Sequence, residues 1–105
     1  MTAVLYVLTA PARADLSDIF DYTELNYGRQ QAIDYLRELS ATFAELGENP
    51  KVGKARPEIR AHLRSFPKGR HIIFYRPLND RIRIVRILSM SRDVEKALKK
   101  KGPRV

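Results

Sequence analysis

The sequence predicts an α+β domain in which a helical hairpin packs on an antiparallel sheet, in the order β-α-α-β-β-β-α. Three observations carry that expectation. Two apolar stripes at helical spacing meet at a single glycine, Gly28. Three β-prone runs follow in quick succession, separated by short Pro- and Gly-containing segments. The chain has 105 residues, 44% of them hydrophobic, which suits one domain spanning 1–105 with one ordinary core.

The elements follow in order. Residues 3–8, AVLYVL, form a short β-prone run that stops at Thr9-Ala10-Pro11. Proline is tolerated in a first helical turn, where its missing N–H would be unpaired anyway, so Thr9 or Ala10 is the cap. Ala12, Leu16, Ile19, Phe20, Thr23 and Tyr27 then recur at helical spacing. Asp15 and Asp18 lie early in this helix, where its dipole favours negative charge. A second stripe, Ala32, Leu36, Leu39, Phe43 and Leu46, ends at Gly47, and Asn49-Pro50 prevents continuation. Two helices joined at one residue read as an antiparallel hairpin.

Lys51 to Pro57 is polar and rich in breakers, hence a loop. The three strand-like runs are Arg60–Phe66, His71–Arg76 and Arg81–Leu88. Their short links require antiparallel neighbours, because parallel strands need a long crossover. Alternation sets Arg60, His62, Arg64 and Phe66 on one face, and Arg86 in phase with Ile82, Ile84 and Leu88. A charge among aliphatics is costly unless matched, so Arg86 either pairs with a carboxylate or faces a groove where a partner arrives. Arg92 to Lys101 suits a last helix, closed by Gly102-Pro103.

Composition narrows the function classes. With no Cys, disulfides, thiolate metal sites and cysteine nucleophiles are excluded. No apolar run approaches the roughly 20 residues that span a bilayer, and the first residues make a poor signal peptide. The expectation is a soluble protein of the cytoplasm with no membrane partner, cofactor or metal. The net charge of +8 is unevenly spread. Residues 1–50 carry three Arg against eight acids, and residues 51–105 carry seventeen Lys and Arg against four acids. So basic a half suits an anionic partner, whether nucleic acid or an acidic protein segment, as well as a plain solvated surface.

An ordered set of motifs resembles a known family. It comprises A-x-x-D-L-x-x-I at Ala12, Asp15, Leu16 and Ile19, then Tyr27-Gly28, and Ala32 with Tyr35. Asn49-Pro50 with Gly53, Leu63-Arg64-Ser65, the run His71 to Arg76, and Val85-Arg86-Ile87-Leu88 complete it. Together they resemble the RelE/ParE superfamily of toxins from bacterial type II toxin–antitoxin modules, and within it ParE. The resemblance implies a RelE-like fold and one of two activities.

RelE-like members cleave mRNA on the ribosome, which needs a base for the 2′-hydroxyl proton, cations for the phosphate and an acid for the leaving oxygen. Here the stretch from Ser91 to Val105 contains no Tyr, Phe or His, and Ser89 stands where many relatives carry His. Arg60, Arg64, Arg86 and Arg92 suit phosphate binding, but Arg is a poor proton acceptor. Neither His62 nor His71 sits where the family motif would place such a base, and both read as surface or structural residues. No catalytic residue is therefore assigned. The ParE branch instead implies binding alone: poisoning of DNA gyrase, with the ribosome-dependent mRNA endoribonuclease as the alternative. A relative that retains only antitoxin binding is a third reading.

The resemblance also implies a ParD-like antitoxin whose acidic C-terminal segment wraps the toxin, and operator DNA bound indirectly through that antitoxin. Arg60, Arg64 and Arg86 are the expected docking points for its carboxylates. Arg92, Lys96, Lys99 and Lys100 on the last helix are the expected contacts with the target.

Overall fold

A computed structural model describes residues 5–90. The expected last helix, with Arg92, Lys96, Lys99 and Lys100, lies outside the described residues, as does the start of the first strand. Among the described residues the order is β1 (Tyr6–Leu8), α1 (Ala10–Tyr27), α2 (Arg29–Glu48), β2 (Lys54–Ala55), β3 (Arg64–Lys68), β4 (His71–Pro77) and β5 (Ile82–Ser89). The α+β class and the helical hairpin are as expected from the sequence. The strands form one sheet in the order β1-β5-β4-β3-β2.

That sheet is mixed rather than wholly antiparallel. β2 to β5 pair antiparallel through short turns, but β1 runs parallel to β5, Tyr6 beside Ile82 and Leu8 beside Ile84. The rest of the chain supplies the long crossover that parallel pairing needs.

Thr9 caps α1 as expected: its Oγ1 accepts the Ala12 N–H at 3.1 Å. The same hydroxyl donates to the Val85 carbonyl at 2.9 Å, and the Thr9 N–H donates to the Ile84 carbonyl at 3.1 Å. The helix start is thereby bonded to the border of β5. At the other end Gly28 adopts φ 94°, open to glycine and strained for any L side chain. Its N–H donates to Glu24 and its carbonyl accepts from Ala32, so one residue ends α1 and begins α2.

The hairpin covers one face of the sheet. Ala12 and Ile19 of α1 and Leu39, Phe43 and Leu46 of α2 pack on Ile73, Tyr75, Ile82, Ile84 and Ile87. On the opposite face Ile59 and Leu63 close over Phe74, Val85 and Leu88.

Two strand expectations are corrected. The run Arg60–Phe66 is not one strand, since β3 begins at Arg64 and residues 56–63 form turns, with His62 at φ 65°. Extending the β3–β4 register would set His62 beside Pro77, where β4 ends and no N–H is available. Folding back instead places Ile59 and Leu63 over the second apolar cluster. Lys54–Ala55, read as loop, pairs with Arg64 and Ser65 as a two-residue strand.

The phase of β5 also differs from simple alternation. Phe74 pairs with Arg86 but Tyr75 pairs with Ile84, so Val85 is an extra residue, a β-bulge. Beyond it Ile87 takes the helix-facing place, and Leu88 packs on the other face.

Candidate functional site

The site begins where β1 gives way to α1. β1 lines β5 only as far as Ile84. Past that point Asp15 of α1 fills in: its Oδ2 accepts the Ile87 N–H at 2.9 Å. The same carboxylate takes the Arg86 guanidinium at two points, Nε to Oδ2 at 2.7 Å and Nη2 to Oδ1 at 2.9 Å. Both side chains are largely buried, 20% and 12% exposed for Arg86 and Asp15. The hydrogen bonds to Asp15 hold the Arg86 pKa above its ordinary value. Of the two sequence-level alternatives for Arg86, the structure takes the internal carboxylate.

Beside this pair the β3–β4 turn folds onto the helical hairpin. Gly69, at φ 57°, lets the turn approach Tyr35 closely, for a Cβ there would lie 2.6 Å from the Tyr35 hydroxyl. That hydroxyl accepts the Arg70 N–H at 3.2 Å, donates to the Lys68 carbonyl at 3.3 Å and lies 2.7 Å from His71 Nδ1. Burial raises the Tyr35 pKa, against the lowering effect of the Arg70 hydrogen bond and charge. Burial also lowers that of His71, Arg70 lowers it further, and Asp15 opposes. Through Nδ1 this imidazole links the start of β4 to Tyr35 of α2.

Arg70 itself projects into solvent. Its Nη1 donates to the Tyr27 hydroxyl at 2.8 Å, and its guanidinium carbon lies 5.5 Å from the Tyr27 ring centre and 5.6 Å from that of Tyr22. Two adjoining cavities open around it, of about 360 and 290 Å³, with Tyr22, Arg70 and His71 common to both. Asp15, Asp18 and Ser89 line the first; Tyr27, Gln31 and Tyr35 line the second. Asp18 is exposed.

The structure does not gather the expected docking residues into one place. Arg64 lies at the far side of the sheet, donating from Nε to the Gly53 carbonyl and from Nη2 to the Lys51 carbonyl, both at 2.9 Å. It thereby ties the loop before β2 to β3. Arg60 sits in the 56–63 segment, its carbonyl accepting the Leu63 N–H at 3.3 Å. Arg86 is with Asp15. His62 is exposed in the turn, whereas His71 is half-buried in the groove.

Sequence reasoning missed Tyr22, Tyr27, Tyr35 and Arg70 as a group, because a 43-residue separation joins Tyr27 to Arg70 only in three dimensions. The dipole expectation for Asp15 is corrected: it stands in the second turn of α1, past the first turn where the dipole acts, and its partner is Arg86. Among the described residues no cluster of acids and histidines is placed to hold a metal ion, and no helix is long and apolar enough to cross a membrane.

Residues 6–94 match the family described as "ParE toxin of type II toxin-antitoxin system, parDE". The Toxin ParE1 of Caulobacter vibrioides is 42% identical over 86 residues, covering 82% of this chain and 88% of that protein. The Toxin ParE1 of Mycobacterium tuberculosis is 38% identical over 94 residues, covering 89% and 96%. A solved structure, "Chromosomal ParDE TA system from P. aeruginosa", shares the fold with a TM-score of 0.69 at 22% identity, covering 82% of this chain and 95% of that one.

Proposed function

The chain belongs to the ParE toxin family of type II toxin–antitoxin systems, and from that premise we propose that it poisons DNA gyrase by binding, with no chemistry of its own. In this reading it holds the enzyme on broken DNA in the cytoplasm, and a ParD-like antitoxin neutralises it. The toxin–antitoxin complex then binds operator DNA through the antitoxin.

One observation carries the choice of binding over ribosomal mRNA cleavage. Arg64 and Arg86, the strand cations best suited to hold a scissile phosphate, have donors committed to the Lys51 and Gly53 carbonyls and to Asp15. A nuclease needs such cations free and preorganised around the reacting phosphate. His71, read from the sequence as a surface or structural residue, has Nδ1 on the Tyr35 hydroxyl, and burial lowers its pKa.

The test uses the purified full chain in two assays. With gyrase, supercoiled plasmid and ATP, the expected result is accumulation of cleaved plasmid, abolished by the co-purified antitoxin. With ribosomes translating a defined message, the expected result is intact mRNA. Cut mRNA with unaffected gyrase would replace this reading with the nuclease.

A further inference from the structure

The two layers of the molecule differ in charge. All eight acids of residues 1–50 lie on α1 and α2. Residues 51–90, which supply β2 to β5 and the 56–63 segment, carry eleven Lys and Arg against two acids, Glu58 and Asp80. The hairpin covers one face of the sheet, so an anion is repelled on that side and drawn to the opposite one.

Arg76 and Arg83 stand on that opposite face. Tyr75, Ile82 and Ile84 pack toward the helices, and alternation turns the residues beside them the other way. The two arginines are directly opposed across β4 and β5, and both are partly exposed. Like charges so placed repel and destabilise a sheet. The two acids of this layer are already matched, Glu58 by Arg56 at 2.7 Å and Asp80 by Arg81 at 3.0 Å. Neither Arg76 nor Arg83 has a carboxylate partner among the described residues. Two guanidinium groups held together without a counter-charge suit a bound anion.

The rest of the face narrows the anion. An acidic peptide anchors through apolar side chains in a desolvated pocket, and the apolar cluster here is closed by Ile59 and Leu63. A single nucleic-acid strand needs exposed rings to stack on, and Phe74, the ring on this face, is fully buried. A duplex backbone needs neither, because charge alone grips its phosphates.

We propose that Arg76 and Arg83 hold backbone phosphates of duplex DNA, so that the toxin touches DNA itself and not only through gyrase or the antitoxin. DNA rather than duplex RNA follows from the gyrase reading above; the grip on a duplex does not depend on it.

The experiment titrates the purified full chain, without gyrase, against a short labelled DNA duplex at several salt concentrations, read by fluorescence anisotropy. Arg76→Gln and Arg83→Gln should each weaken binding about eightfold at about 0.1 M salt, the counterion-release contribution of one phosphate. Each should also flatten the salt dependence by about one unit of slope. Arg37→Gln removes the same charge from the exposed side of α2 and should change binding far less. Melting temperatures should hold or rise in the two sheet variants, because repulsion between the arginines is relieved.

Sheet variants that lose no more than Arg37→Gln overturn the proposal and leave the gyrase reading standing. So does a wild-type chain that does not bind the duplex. Duplex RNA that displaces the DNA at equal or lower concentration overturns DNA in favour of RNA. A polyglutamate peptide that does so overturns it in favour of an acidic protein segment. DNA binding lost in both sheet variants, with no cleaved plasmid from gyrase and wild-type chain, overturns the gyrase reading and leaves this contact standing.

Discussion

Asp15 and Arg86, 71 residues apart in sequence, form a two-point ion pair that joins the first helix to the last described strand, and the same carboxylate caps the Ile87 N–H. Removing either partner leaves the other charge in a mostly buried setting. Arg86→Ala or Asp15→Ala should each lower unfolding free energy by about 2–4 kcal/mol in urea titrations. Asp15→Ala should be the worse, since it also orphans a backbone donor. The double variant should cost clearly less than the sum, with a coupling of about 1 kcal/mol or more. Additive losses would mean that the pair contributes little.

Gly53 and Tyr75 form a second lock. The buried Tyr75 hydroxyl accepts the Gly53 N–H at 2.9 Å and donates to the Pro50 carbonyl at 2.7 Å. Tyr75→Phe leaves both groups unmatched and should cost about 1–3 kcal/mol with little change in packing. Gly53→Ala should destabilise as well, because its Cβ would fall within 2.8 Å of the Ser65 carbonyl oxygen. Thermal melting of the two variants checks this.

Stability should depend on pH through His71. Its native pKa lies below the ordinary 6.5, through burial first and Arg70 second. In the window between that lowered value and 6.5 the unfolded chain binds more protons, so stability rises with pH. The contribution is complete above about 6.5 and is lost as pH falls through the native pKa. The melting temperature should therefore drop on going from pH 7.5 to 5, and His71→Gln should show a shallower drop. Parallel profiles for the two proteins would remove His71 as the cause.

Arg64 holds the loop before β2 through two carbonyls. Arg64→Lys keeps the charge but loses the planar two-point geometry. It should cost about 1–2 kcal/mol and speed amide exchange at Val52 to Ala55, read by hydrogen-exchange mass spectrometry. Global exchange rates should change far less.

The fold was legible where local signals agree with tertiary need. Thr9, Pro11 and Gly28 mark helix boundaries through backbone chemistry that needs no distant partner. The stripe Leu39, Phe43 and Leu46 reads directly as a buried face. The 56–63 segment was not legible, because its fold-back answers to an apolar cluster on other strands. Nor was the bulge at Val85, since one added residue leaves no compositional trace. The groove was the least legible part. Its tyrosines resemble ordinary surface residues until the β3–β4 turn brings Arg70 between them.

Thr9 and Asp15 have a further consequence through what they consume. Along the outer border of β5, the Ile84 and Val85 carbonyls and the Ile87 N–H are already taken by these two residues. Between Ile84 and Ile87 these bonds occupy groups on which an incoming chain, a partner's or another copy's, would otherwise pair. A chain that approached this stretch would meet side chains first, which point substitution can alter without disturbing the backbone lattice beneath.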